Sequence, residues 1–188
     1  MENNSIFRYA GWSAYLSGFA FILMLITSAI FAMTGPPVDT ISSIAEILWT
    51  LLILPIVFAF HYRLLSNVPS ASLIALIIGF IGISYSIAVT FLLNFGPRGF
   101  GDTGIFINAT IGLWFLITSS LLLSGKLQPF GLSVLGILIG ISYIFSIIGL
   151  WFKASWMLAF LIHIMILSVL YPIWAFWAGH VLLRSNSQ

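Results

Sequence analysis

Residues 43–65 read SIAEILWTLLILPIVFAFHYRLL, and the four residues Leu51-Leu52-Ile53-Leu54 near their centre decide how the chain folds. A strand of a membrane β-barrel alternates lipid-facing and lumen-facing residues over about ten positions. Four consecutive large aliphatic residues break that alternation. As a helix, the same stretch is long enough to cross the hydrocarbon core of a bilayer, about 30 Å, which takes about 20 apolar residues. The flanks agree with a helix. Glu46 lies near one end and His61 and Arg63 near the other, so charge gathers at the ends of the run.

Five further stretches have the same character, giving expected spans at about 11–33, 43–65, 70–94, 104–124, 130–152 and 155–183. Composition demands this reading. Of 188 residues, 61% are hydrophobic and 5% charged, whereas a soluble domain carries about 25% charged residues. So few charges cannot solvate a globule of 20.7 kDa, and the mean hydropathy is +1.18. The first apolar run follows Arg8 as a signal peptide's would. Its length exceeds the roughly 7–15 residues of a signal-peptide core, so we read it as a retained span.

The connections are short and rich in helix breakers. Thr34-Gly35-Pro36-Pro37, residues 96–102 (GPRGFGD) and Gly125-Lys126-Leu127-Gln128-Pro129 leave no room for a soluble domain. The expected fold is therefore all-α: one polytopic domain of six transmembrane helices arranged as three consecutive hairpins. Arg8, Arg63, Lys126 and Arg184 fall on one side of the membrane, and Arg98 and Lys153 on the other. Excess basic residues mark the cytoplasmic side, so both termini are expected in the cytoplasm.

A pseudo-repeat of about 60 residues is visible. Ala14-x-x-x-Gly18, Ala75-x-x-x-Gly79 and Gly136-x-x-x-Gly140 recur at equal spacing in the odd-numbered helices, and Gly35-Pro36 matches Gly96-Pro97. Mechanically, small residues four apart let helix backbones approach closely in lipid, where no hydrophobic effect drives association.

Ionisable and hydroxyl groups inside the spans are the candidates for function. Glu46 is one. Ser43-Ile44-Ala45-Glu46 fits a capping box that would satisfy the first free N–H groups of helix two, and Arg98 or Lys153, on the same side, could pair with its carboxylate. His163 is expected about 13 Å into helix six at 1.5 Å per residue. It lies on a stripe with Trp156, Phe160, Leu167, Leu170, Trp174 and Trp177. Tyr85 and Tyr143 share its depth, with Ser84 and Ser142 beside them. Such a layer either lines a small polar cavity or holds the bundle together by hydrogen bonds. Pro55 and Pro172 each free a backbone carbonyl, as in transporters whose broken helices bind substrate.

Other chemistry is poorly supported. There is no cysteine, which excludes disulfides and thiolate ligands. A bis-histidine haem could use only His61 and His180, both at helix ends on the cytoplasmic side. No Gly-x-Ser-x-Gly elbow, P-loop or His-Glu-x-x-His motif is present, and no histidine–carboxylate spacing suits a metal site. The net charge of +2 gives no case for nucleic acid.

Three mostly apolar segments carry a resemblance: Gly112-Leu113-Trp114-Phe115, the run Leu121-Leu122-Leu123-Ser124-Gly125-Lys126-Leu127-Gln128-Pro129 and the ending Tyr171-Pro172-Ile173-Trp174. Together they resemble a pattern in bacterial six-helix inner-membrane proteins of unknown function. The resemblance covers mainly the C-terminal half. It implies a bacterial inner membrane and six helices, and it implies no activity.

Three functions are compatible with the sequence. The first, and the one the missing chemistry favours, is an accessory or scaffold subunit docked on other membrane-protein subunits. The second is a small carrier or receptor for an apolar or weakly polar ligand, bound in the outer-half polar layer. The third is a haem-binding redox protein.

Overall fold

A peptide group in lipid has no water to bond, so each helix must satisfy its own backbone. The computed structural model, which describes residues 3–34, 38–95, 104–151 and 156–184, is built on that rule, with Pro55 in α2 and Pro172 in α6 as interruptions of the ladder. Six helices account for nearly all of it: α1 (Asn3–Thr34), α2 (Val38–Leu65), α3 (Pro69–Phe95), α4 (Gly104–Ser124), α5 (Phe130–Trp151) and α6 (Trp156–Arg184). No strand occurs among the described residues. Five segments, Ser5–Ile30, Thr40–Leu65, Pro69–Leu92, Phe130–Ile147 and Met165–Arg184, are long and apolar enough to cross a membrane. The 21 residues of α4 extend about 31 Å at 1.5 Å per residue, which fits a sixth crossing.

Two helices begin earlier than hydropathy places them. α1 starts at Asn3 and α2 at Val38, ahead of the apolar runs at 11 and 43. Hydropathy registers only the part of a helix that lies in hydrocarbon, whereas a helix continues into the polar interface until a breaker stops it. The capping box expected at Ser43-Ile44-Ala45-Glu46 is therefore not formed as such. Ser43 lies inside α2, with the preceding residues already helical.

Each helix packs against its neighbours in sequence, and α6 returns to pack against α1. The result is a closed ring in chain order. Turns of three to five residues join α2 to α3 and α4 to α5, which forces adjacent helices antiparallel. The α4–α5 turn is a Schellman motif: the Leu127 N–H donates to the Leu122 carbonyl and the Lys126 N–H to the Leu123 carbonyl. Lys126 takes the left-handed position, φ 51°, where glycine is usual.

Glycines set the closest crossings. A Cβ added to Gly179 would sit 2.9 Å from the Gly11 carbonyl oxygen, so α6 and α1 touch backbone to backbone where the ring closes. α4 and α5 meet the same way: a Cβ on Gly140 would lie 2.8 Å from the Gly112 oxygen and 2.9 Å from the Leu116 nitrogen. The three small-residue pairs are thus packing faces, but not equivalent ones. Gly18 faces Phe176 and Ala175 of α6, Gly140 faces α4, and Gly79 faces Trp114 of α4. The first and third pairs contact the preceding helix of the ring, and the second contacts the following one.

Gly140→Ala is expected to destabilise the protein by about 1–3 kcal/mol, because the clash is with backbone that cannot move aside. Gly18→Ala meets only side-chain atoms at 3.1 Å or more and should cost clearly less. Thermal unfolding of both variants in detergent checks the contrast; equal effects would contradict it.

Candidate functional site

The interior of the ring is filled largely by aromatic side chains. Phe21 of α1, Trp49 of α2 and Tyr171 of α6 pack with centroids 4.8–5.3 Å apart. Tyr171 leads to Trp174, which meets Phe115 at 4.9 Å and Phe60 at 6.1 Å. Phe115 then stacks on Tyr143 of α5. Most of these contacts are edge-to-face or tilted, the arrangements that ring quadrupoles favour. α3 supplies no ring to this set. Its Gly79 instead leaves the space that Trp114 occupies.

Above the aromatic floor lies Glu46. It is eight residues into α2 (46 − 38), about 12 Å along the axis at 1.5 Å per residue. That is two turns from the helix end, too deep for a capping role. The carboxylate accepts a hydrogen bond from the Thr90 hydroxyl of α3, Thr90 Oγ1 to Glu46 Oε1 at 3.1 Å. Tyr143 of α5 lies within electrostatic range of Glu46. Depths agree. Tyr143 is eight residues from the end of α5 at Trp151, and Thr90 is five from the end of α3 at Phe95. Among the described residues no Lys, Arg or His acts on Glu46.

The described members of the polar layer expected from the sequence differ in burial. Ser142 and Tyr143 are buried. Ser84 and Tyr85 are only half-buried, and the inward positions of α3 are Ser86 and Thr90. The His163 side chain lies outside the described residues, as do Arg98 and Lys153. Of the α6 stripe, Leu167 and Trp174 face the interior while Trp177 is partly exposed.

Sequence reasoning passed over Thr90, Trp49 and Tyr171. Tyr171 follows Leu167 by four and precedes Trp174 by three, so helical spacing alone places it on the buried face. Trp49 stands at i+3 from Glu46. It is 7% exposed, and its indole N–H has no partner. The Trp174 N–H is likewise buried and unpaired.

Several hydroxyls bond within their own helices. Thr50 donates to the Glu46 carbonyl, Ser146 to the Tyr143 carbonyl and Thr27 to the Leu23 carbonyl. Others cross between helices at their contacts. Tyr171 donates to Ser17, which donates to the Ala14 carbonyl, tying α6 to α1. Ser28 and Ser42 bond at 2.6 Å between α1 and α2.

At the opposite end, the two histidines considered for haem part company. His61 Nδ1 pairs with Ser72 of α3 at 2.7 Å. His180 is exposed on α6, and α1 stands between α2 and α6 in the ring. No group of three His, Cys, Asp or Glu side chains occurs among the described residues. An apolar groove of about 280 Å³, lined by Phe58, Leu76, Ile77, Phe80 and Ile81, opens toward lipid between α2 and α3. It offers nothing to a polar ligand.

Thr90→Val should destabilise the protein by about 1 kcal/mol, because it leaves a half-buried acceptor without its hydroxyl donor. In a Glu46→Leu background the same change should cost little, giving a coupling of about 1 kcal/mol. A double-mutant cycle by thermal unfolding measures this, and strictly additive effects would show that the bond is energetically idle. No known protein family matches the sequence, and no characterised protein or solved structure is detectably similar to it.

Proposed function

We propose that this integral membrane protein is a small-ligand carrier or receptor whose site is the polar layer around Glu46, Thr90 and Tyr143. One observation carries the reading: a carboxyl sits two turns inside a bundle that gives it a single hydroxyl donor and no described cation. Burying a carboxylate costs several kcal/mol unless it is paired. A purely structural role is served as well by an apolar side chain, so an acid in this place suits a ligand that completes its bonding. Ser142, Ser86 and Tyr143 add hydroxyls on facing helices. Ser84 and Tyr85, half-buried on α3, suit its rim.

The reading as an accessory or scaffold subunit keeps one support. The rings below Glu46 close the interior, and a bundle with a solid centre acts through its outer face. A haem-binding role has less, because His61 already engages Ser72. The basic residues favour a cytoplasmic-membrane setting with both termini inside.

The absence of cysteine makes the test direct. Ser142→Cys should react with N-ethylmaleimide in the folded, detergent-solubilised protein, more slowly than an exposed Ser66→Cys control but measurably. That result requires the layer to open to solvent. A thiol that stays silent until the protein is unfolded would favour the scaffold.

A further inference from the structure

Resting on that reading, we infer that the ligand is a small organic cation, a protonated amine with an apolar body, held between the Glu46 carboxylate and the aromatic floor beneath it. Three observations converge. The first is charge. Glu46 is half-buried in the bundle, where an unpaired carboxylate is disfavoured and a well-bonded positive charge beside it offsets part of the penalty. The described residues supply no such charge; Thr90 provides one neutral donor to one oxygen. The remaining lone pairs suit the N–H groups of an ammonium, and bonds of that kind are the stronger, charge-assisted class.

The second observation is the chemistry of the walls. One turn deeper on the same face of α2 stands Trp49, in edge contact with Phe21 and Tyr171. Tyr143, within electrostatic reach of Glu46, stacks on Phe115. Aromatic faces attract cations and receive apolar bodies, and they do neither for an anion. A carboxylate above aromatic rings therefore selects for positive charge joined to hydrocarbon.

The third is the unpaired indole N–H of Trp49, on a side chain more than nine-tenths buried. Buried indole N–H groups usually find an acceptor. Trp49 shares a helix face with Glu46 at i+3, so a ligand that also carries an oxygen has a donor on the same side of α2.

The experiment uses the full chain in detergent micelles, with unfolding followed by the fluorescence of its own tryptophans. The probes are phenethylammonium chloride, the neutral isostere phenethyl alcohol, and sodium chloride at matched concentration. The expected result is a saturable rise in unfolding temperature with the ammonium alone. Glu46→Gln, which keeps an acceptor for Thr90, should weaken that response about tenfold or more. Glu46→Asp, which keeps the charge, should retain part of it.

If the alcohol stabilises the protein as well as the ammonium, the cation inference is overturned while the ligand-binding reading stands. If neither stabilises it, both fall. An equal response to the ammonium in wild type and Glu46→Gln would likewise overturn the assignment to this carboxylate. Should Glu46→Gln not fold, the comparison of ammonium with alcohol on the wild-type chain still decides the point.

Discussion

Lipid offers a peptide group no hydrogen-bond partner, and every other feature of this protein is arranged around that fact. It forces the chain into helices and also removes the force that would press those helices together, because hydrocarbon tails are as apolar as leucine side chains. Adhesion must then come from contact. The ring closes where Gly11 and Gly179 let α1 and α6 touch, and it is reinforced nearby by the hydroxyl chain from Tyr171 through Ser17 to the Ala14 carbonyl. Gly112 and Gly140 do the same between α4 and α5. Elsewhere large rings fill space that small residues vacate, as Trp114 does against Gly79.

A ring of six helices has an interior to fill, and the protein fills its two levels differently. The deeper level is aromatic, from Phe21 and Trp49 through Trp174 to Phe115. The level above it holds an acid, several hydroxyls and a phenol. Packing explains the first. It does not explain why an acid stands where leucine would pack more cheaply, and the proposed ligand would answer that mismatch between cost and structural need.

Much of the architecture was legible in the sequence because hydropathy reports the environment of a whole segment. The run at Leu51–Leu54, the breakers at Gly35 and Pro129, and the small-residue pairs led to six helices and close packing. What escaped was whatever depends on which way a side chain points. Apolar residues surround every span, so no amphipathic stripe separates lipid-facing from inward positions. Tyr85 and Tyr143 looked equivalent by depth, yet only Tyr143 is fully buried. Glu46 passed for a cap because the polar start of α2, from Val38, is not hydrophobic enough to announce itself. Thr90 was silent for a different reason. A threonine in a membrane helix gives no sign of whether it bonds its own backbone, as Thr50 does, or reaches across to an acid.

The central claim is the closed ring, since without contact between the first and last helices the acid has no enclosed interior to occupy. The cysteine-free chain allows a direct measurement. A Cβ placed on Gly18 lies 3.3 Å from the Ala175 Cβ, near the separation of about 3.5–4.5 Å that a disulfide bridges. Gly18→Cys combined with Ala175→Cys should therefore cross-link within one chain under mild oxidation, joining fragments otherwise released by cleavage in the α3–α4 connection. Fragments that separate after oxidation, or cross-links found only between chains, would contradict the ring.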